Sequence, residues 1–284
     1  MLLIRYASLV NSFVKLEDQL ANIISVLTGA VLATQSMPLD PKLILTFACA
    51  SSALMSINIL NQYCDVEIDK INRPYRPIPS GKIKPKNALI LSLFLFILSL
   101  ILASLVNFQL LALTILGIFL GIIYSVKPFR FKDLFVICNI FIASGYGAIN
   151  FLAGWVVYKP ILQAPISFII FFCLFDIFAN MTKDYRDVEG DLKFGTKTLP
   201  VILGKDRAMS INFIMLYIVF ICPLLLSFAL IIPKEFLILT PIGVFFCMLA
   251  HLGLNKGRCV LCYFIMMLLY IVIRIACSAI ILLT

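Results

Sequence analysis

Charged residues are scarce in this sequence: Asp, Glu, Lys and Arg make up 13% of its 284 residues, whereas hydrophobic residues make up 62%. A water-soluble globular domain carries about twice that charged fraction. The composition therefore excludes a soluble globular fold for most of the chain and indicates that its main solvent is lipid. The net charge of +9 does not indicate nucleic-acid binding, because the basic residues alternate with apolar runs of membrane-spanning length.

Histidines and paired metal-binding cysteines are scarce as well. His251 is the only histidine, and the CxxC pair Cys259 and Cys262 has no second Cys or His pair nearby, so helix packing is favoured over a zinc or redox centre. The sequence also lacks a P-loop, a Rossmann glycine pattern, an HExxH motif and a nucleophile elbow. These absences remove the support for nucleotide hydrolysis and serine chemistry.

What the sequence does contain is a series of apolar runs of about 17 to 25 residues, the length of a transmembrane helix. Two connections, 63–86 and 184–208, are long and polar, and the others are short. We therefore predict an all-α membrane protein, a single domain over 1–284, with nine transmembrane helices around a central cavity and cytoplasmic cap loops. The predicted helices are 15–35, 42–62, 87–106, 108–125, 133–156, 164–183, 209–231, 234–253 and 259–282.

The basic residues predict the orientation of these helices. Nineteen of the 23 Lys and Arg residues, Arg5 among them, fall on one side of a nine-helix topology; the exceptions are Lys42, Lys159, Lys234 and Arg274. Loops rich in Lys and Arg stay on the cytoplasmic side. We therefore expect a multi-pass protein of the cell membrane with a cytoplasmic N-terminus and an outside C-terminus.

The first acidic cluster stands where the second predicted helix ends. Asn61, Asp65 and Asp69 recur at intervals of four residues, which places their side-chain oxygens on one helical face. Like charges stacked at the mouth of a membrane bundle repel one another unless cations compensate them. The pattern therefore favours a cation site over ordinary solvated loop charges.

The second acidic cluster follows the sixth predicted helix in the same way. Asn180, Asp184, Asp187 and Asp191 again share one helical face. Carboxylates suit Mg²⁺, which commonly combines one or two protein carboxylates with phosphate oxygens and water. Two acidic faces on opposing helices, at the cytoplasmic mouth of the bundle, would bind a diphosphate through bridging Mg²⁺ ions.

Cations for an anionic substrate lie beside both clusters. Arginine binds phosphate through two parallel hydrogen bonds, whereas lysine acts as a point charge. The candidate substrate-binding residues are Arg73, Arg76, Tyr124, Lys127 and Lys183.

The two acidic motifs resemble those of the UbiA superfamily of intramembrane prenyltransferases. NxxxDxxxD matches at Asn61, Asp65 and Asp69, and DxxxD matches at Asp187 and Asp191. The segments that follow the motifs, 72–81 and 195–199, and the intervening YSVKP at 124–128 also resemble this family. Together with the helix count, the resemblance covers nearly the whole chain.

The resemblance implies a Mg²⁺-dependent prenyltransferase. The residues that flank the motifs are most similar to those of the archaeal branch of the family, which makes membrane ether lipids. This resemblance implies transfer of a geranylgeranyl group from geranylgeranyl diphosphate to a lipid-phosphate acceptor, geranylgeranylglyceryl phosphate. Mg²⁺ would stabilise the leaving diphosphate, and aromatic faces would stabilise the allylic cation. The implied catalytic residues are Asn61, Asp65, Asp69, Asp187 and Asp191, and the implied metal ligands are these five and Asp184.

Two alternatives stay open at the level of sequence. An aromatic, quinone-type or chlorophyll-type acceptor is one, although Gln62 stands where many members that prenylate aromatic acids carry a second acidic residue. A transporter is the other, because Asp176, His251 and Arg274 fall within predicted membrane helices and such residues often mark translocation paths. The acidic clusters crowd one membrane face, however, whereas a transport site usually lies near the midplane.

Overall fold

A computed structural model describes residues 15–228 and 233–284. For residues 226–228 it describes the backbone only. Most of the chain in these ranges is helical, and it forms no strand within them. The α-helices are α1 (Leu16–Thr34), α2 (Pro41–Cys64), α3 (Val66–Asn72), α4 (Pro85–Ser104), α5 (Phe108–Ser125), α6 (Ile137–Ala143), α7 (Asn150–Trp155), α8 (Ile166–Asn180), α9 (Asp184–Phe194), α10 (Leu199–Leu203), α11 (Lys205–Phe228), α12 (Leu239–Asn255) and α13 (Cys259–Leu283).

The prediction of nine membrane helices is confirmed within the described ranges. Nine segments there are long and apolar enough to cross a bilayer. One of them combines α6 and α7, which a π-helical segment, Ser144–Ile149, joins end to end. Another runs from α8 through a short 3₁₀ turn into α9.

The helices form a closed ring. α2 packs on α4 and α5, α6 packs on α8, and α8 packs on α11. From α11 the ring continues through α12 and α13, and α13 returns to α1. Because most helices contact two neighbours, their inner faces enclose a central cavity.

The contact between α1 and α7 depends on two glycines. A Cβ on Gly29 would lie 1.9 Å from the Phe151 carbonyl oxygen, and a Cβ on Gly154 would lie 1.8 Å from the Val26 carbonyl oxygen. The two backbones therefore touch directly. Small residues allow this close approach between membrane helices.

The two expected cap loops are more helical than we predicted. The segment 63–86 contains α3, and 184–208 contains α9, α10 and the first turn of α11. Residues 73–84 form turns between α3 and α4, so the first polar segment combines helix and turns. Arg5 and residues 229–231 of the seventh predicted helix lie outside the described residues.

Candidate active site

A cavity of 820 Å³ opens at the end of the bundle where α2 and α8 finish. Residues of both acidic clusters line it, together with residues from the beginning of α1 and α13. Its inner part is apolar and lies between α2, α5 and the α6–α7 span; the apolar lining includes Ala53, Leu54, Ile57, Leu113, Leu120 and Ile149. One cavity thus joins a charged mouth to an apolar interior.

The first acidic cluster has the geometry that its spacing predicted. Asn61, Asp65 and Asp69 all line the cavity, with Asp65 at the junction of α2 and α3. Asp69 is buried and accepts a 2.6 Å hydrogen bond from Arg76. Burial raises the pKa of the Asp69 carboxyl above its ordinary value, and Arg76 offsets part of that effect. A further cation at this position would therefore favour the ionised carboxylate.

The second cluster also lines the cavity as one face. Asn180, Asp184, Asp187 and Asp191 are all part of the wall, at the end of α8 and along α9. Asp191 accepts a 3.4 Å hydrogen bond from the hydroxyl of Thr198. The position of all four residues in the wall agrees with the predicted shared face.

The two clusters are connected across the mouth by residues that follow the first motif. The Arg73 guanidinium donates to the Asp187 carboxylate. Asn72 bridges the same two helices: its Nδ2 donates to the Asp187 carbonyl oxygen at 3.2 Å, and its Oδ1 accepts from the Gly190 N–H at 3.0 Å. We predicted Arg73 as a cavity cation but did not identify Asn72, because its partners lie far along the chain.

The cations beside Asp65 differ from the one we predicted. Lys127 is exposed and does not line the cavity, so its assignment to the site is corrected. Arg130 donates to Asp65 at 3.1 Å, and Lys132 also forms an ion pair with Asp65. The chain turns after α5 and brings these later residues over the motif, which the YSVKP resemblance alone could not indicate.

The remaining predicted substrate-binding residues are part of the cavity wall. Tyr124 and Lys183 line the cavity, as does Arg76. Lys183 forms no ion pair within the part of the chain that the structure describes. Gln62 is buried and lies outside the cavity lining, so it has no direct contact with the space that a substrate would fill.

The carboxylates fit Mg²⁺ that is shared with a phosphate-bearing ligand. No group of three or more Asp, Glu, His or Cys residues close enough to hold a metal by itself occurs among the described residues. Asp184 Oδ2 is nevertheless buried and accepts no hydrogen bond there. Asp187 Oδ1 accepts none either, although Arg186 Nε lies 3.5 Å from it. Buried carboxylate oxygens without a donor need a cation, and Mg²⁺ commonly takes its other ligands from phosphate and water.

The polar residues that suggested a transporter lie outside the cavity wall. Asp176 and Arg274 are fully buried and form a 3.2 Å ion pair between α8 and α13. His251 stacks on the ring of Phe213 with centroids 4.5 Å apart. None of these three residues lines the cavity, so they connect helices and do not mark a path through the membrane.

The fold and this cavity define a helical membrane protein in which an acidic, cation-binding mouth leads into an apolar interior. The chain belongs to the UbiA prenyltransferase family, whose family profile matches residues 22–272. It is therefore a membrane prenyltransferase, and the transporter alternative is rejected.

Relatives with assigned names support the same family. A digeranylgeranylglyceryl phosphate synthase of Thermococcus gammatolerans is 38% identical over 189 residues, which are 66% of each chain. The synthase of Methanothrix thermoacetophila is 36% identical over 206 residues, which are 71% of this chain and 70% of the relative. The chain thus aligns with about two thirds of the length of these curated relatives.

Solved structures show the same fold. A structure of a digeranylgeranylglyceryl phosphate synthase matches with a TM-score of 0.70 at 24% identity, covering 96% of this chain and 98% of the other. A UbiA homologue from Archaeoglobus fulgidus, bound to GPP and Mg²⁺, matches with a TM-score of 0.73 at 19% identity, covering 95% and 99%. At these identities the similarity establishes the shared fold alone.

Proposed function

We propose that this prenyltransferase transfers a geranylgeranyl group from geranylgeranyl diphosphate to the free hydroxyl of geranylgeranylglyceryl phosphate, in the synthesis of archaeal ether lipids. The single observation that carries the proposal is the continuous cavity, which joins two acidic clusters and their cations to an apolar interior. The names of the relatives from Thermococcus and Methanothrix support the choice of substrates.

The charged mouth is suited to the diphosphate of the donor. Bound Mg²⁺ would neutralise the charge that develops on the leaving diphosphate. The residues proposed to hold the metal are Asn61, Asp65, Asp69, Asp184, Asp187 and Asp191. Arg73 and Arg76 already contact these carboxylates, and a diphosphate would compete for the same guanidinium groups.

The apolar interior is suited to a long prenyl chain. Cys49 and Asn61 both line the cavity and are separated by about 18 Å along α2, at 1.5 Å per residue. The 16-carbon main chain of a geranylgeranyl group has bonds of about 1.5 Å. Because these bonds follow a zigzag, the extended chain is about 19 Å long. The cavity depth below the motifs therefore fits a chain of this length.

Aromatic side chains are also part of the cavity wall. Tyr124, Phe141, Tyr146 and Tyr270 are all part of the wall. The ring faces of such residues attract cations. They would stabilise the positive charge that develops on the prenyl chain as its bond to the diphosphate breaks, and the surrounding helices would exclude water from that charge.

A lipid-phosphate acceptor brings a second anion to the mouth. Lys183 lines the cavity without an ion-pair partner in the described ranges, and it is a candidate for that anion. Arg76 already forms an ion pair with Asp69. We expect a neutral substitution of Lys183 to raise the acceptor KM and leave the donor KM nearly unchanged, which is the signature of lost acceptor binding.

The cavity mouth is proposed to face the cytoplasm, because most basic residues gather at that end of the bundle. In a background without the native cysteines, single cysteines at positions 82 and 193 should react with an impermeant thiol reagent from the cytoplasmic side. A cysteine at position 159 should react from outside. Labelling of positions 82 and 193 from opposite faces would contradict a shared mouth.

The substrates are tested with purified protein, Mg²⁺ and geranylgeranyl diphosphate against geranylgeranylglyceryl phosphate, 4-hydroxybenzoate and a quinone-type acceptor. We expect a mass-spectrometric product with the glycerophosphate acceptor and none with the Asp65→Asn variant. Prenylation of 4-hydroxybenzoate without turnover of the glycerophosphate would reject the lipid assignment and leave the family assignment standing.

A further inference from the structure

A second polar cluster lies on the cavity wall outside both acidic motifs. Lys15 Nζ donates to Asn58 Oδ1 at 3.1 Å and lies 3.3 Å from Asp18 Oδ2. Asn58 Nδ2 is 3.5 Å from the same carboxylate oxygen. All three side chains line the cavity, and the cluster connects the beginning of α1 to α2.

Helix capping and surface charge do not account for this cluster. Lys15 and Asp18 are three residues apart, a spacing that often gives a weak, exposed ion pair. Here the Asp18 side chain is 9% exposed, and Asn58 comes from a different membrane helix and is buried as well. Polar groups at membrane depth are costly and usually serve a function.

The depth of the cluster places it next to the reacting centre. Asn58 precedes Asn61 by three residues on α2, so it lies about 4.5 Å further into the membrane. A donor with its diphosphate at the motifs and its chain in the apolar interior would have its first prenyl carbon near this level. Asp18 and Asn58 therefore line the cavity near the depth where the new bond must form.

The charges around Lys15 indicate an anion site. Burial lowers the pKa of the Lys15 ammonium; Asp18 opposes this change, and the positive charges of Arg76 and Arg73 add to it. All three cations line the cavity. A phosphate bound at Lys15 would relieve its repulsion from the two guanidinium groups, which are assigned to the donor diphosphate.

We propose that Lys15, Asp18 and Asn58 form the acceptor subsite, in which Lys15 binds the acceptor phosphate alongside Lys183 and Asp18 takes the proton of the acceptor hydroxyl. The inference rests on the proposed function. The hydroxyl oxygen forms a bond to the first prenyl carbon, and the bond from that carbon to the diphosphate breaks. The electron pair of the broken bond leaves with the diphosphate, and the hydroxyl proton passes to the Asp18 carboxylate.

The other carboxylates in the wall are less suited to accept this proton. Those of the two motifs are assigned to the metal, and Asp133 accepts a 2.7 Å hydrogen bond from Arg130. Asp18 also pairs with a basic residue, but that residue is Lys15, whose charge the acceptor phosphate would share. Glu17 lines the cavity as well, but no ion pair or hydrogen bond joins it to Lys15 in the part of the chain that the structure describes.

The test compares Asp18→Asn, Asp18→Glu, Lys15→Met and Glu189→Gln in the purified full-length protein with Mg²⁺ and both substrates. We expect Asp18→Asn to lower kcat by about a hundredfold or more, the scale of lost general-base catalysis, with donor Kd and Tm unchanged. Asp18→Glu should recover part of the activity. Lys15→Met should raise the acceptor KM about tenfold with a small change in kcat. Glu189→Gln is the control: it removes an exposed carboxylate outside the cavity lining and should stay within about twofold of wild type, the range of a surface substitution.

Two outcomes would overturn the assignment of Asp18. One is an Asp18→Asn variant that keeps more than half of the wild-type kcat. The other is a loss of kcat that parallels losses of donor affinity and Tm, since this pattern indicates a structural role. A wild-type protein that does not use the glycerophosphate acceptor would instead count against the proposed function, and the same variants are then compared on the acceptor that it does use.

Discussion

The side-chain oxygen of Asn72 accepts a hydrogen bond from the backbone N–H of Gly190 at 3.0 Å. This contact joins α3 to α9, the two helices that carry the acidic motifs. The fit is close, because a Cβ on Gly190 would lie 2.4 Å from the Asn72 amide atoms. The distance between the two motifs therefore depends in part on one amide and one glycine, beside the ion pair of Arg73 with Asp187.

Gly190→Ala should separate the motif helices and reduce turnover. Misplacing reacting groups by about 1 Å costs on the order of a hundredfold in rate, so we expect a loss of about ten- to a hundredfold with Mg²⁺ present. Glu189→Ala, one residue away and exposed, is the control and should keep near wild-type activity. Equal activity of the two variants would show that this contact does not position the site.

Asp191→Asn should lower kcat by about a hundredfold or more, the scale of one lost electrostatic contact in the transition state. The Tm should remain close to that of wild type, because Asp191 lines a polar cavity and does not pack a core. Glu189→Gln removes the same charge from the exposed side of α9 and should have little effect. If the Asp191→Asn variant keeps more than half of the wild-type kcat, Asp191 is not a principal metal ligand.

Activity should require Mg²⁺, because the two carboxylate faces need a cation to hold a diphosphate between them. EDTA should abolish turnover, and added Mg²⁺ in excess of the chelator should restore it. Binding of geranylgeranyl diphosphate, measured by calorimetry with and without the metal, should weaken in parallel. Full turnover in metal-free buffer would exclude the proposed role of the aspartates.

The ion pair between Asp176 and Arg274 should behave as a structural unit. Arg274 is fully buried and also lies over the rings of Phe172 and Tyr270, at 4.4 Å and 3.4 Å. Removing one partner of a buried pair leaves an uncompensated charge and costs about 3 to 5 kcal/mol. Asp176→Leu and Arg274→Met should each lower the Tm in detergent strongly.

The double variant Asp176→Leu/Arg274→Met should be more stable than the sum of the single effects predicts, because no buried charge remains unpaired. Thermal melting of all four proteins in the same detergent provides this comparison. Strictly additive losses would mean that the two side chains do not stabilise each other.

The membrane helices and the motif faces could be predicted from the sequence because both depend on local chemistry. A bilayer requires apolar runs of a given length, so the nine spans follow from composition along the chain. Within one helix, a spacing of three or four residues determines which side chains share a face. Asp65 and Asp69, and likewise Asp187 and Asp191, line the cavity for this reason.

The identity of the partners could not be predicted in the same way. We placed Lys127 at the site because it lies close to a family-like segment, but the structure pairs Asp65 with Arg130 and Lys132. The turn that follows α5 decides which of these basic residues points inward. Positive charge in a loop indicates the membrane side and does not specify a contact.

Local sequence by itself therefore determined the spans, the acidic faces and the chemistry of the cavity mouth. Tertiary structure alone decided that Asn72 contacts Gly190, 118 residues along the chain, and that Lys15 contacts Asn58, 43 residues along the chain. The physical reason is that helical periodicity acts over a few turns. The neighbours of a side chain on another helix depend instead on how the whole ring closes, including the direct backbone contact between Gly29 and Phe151.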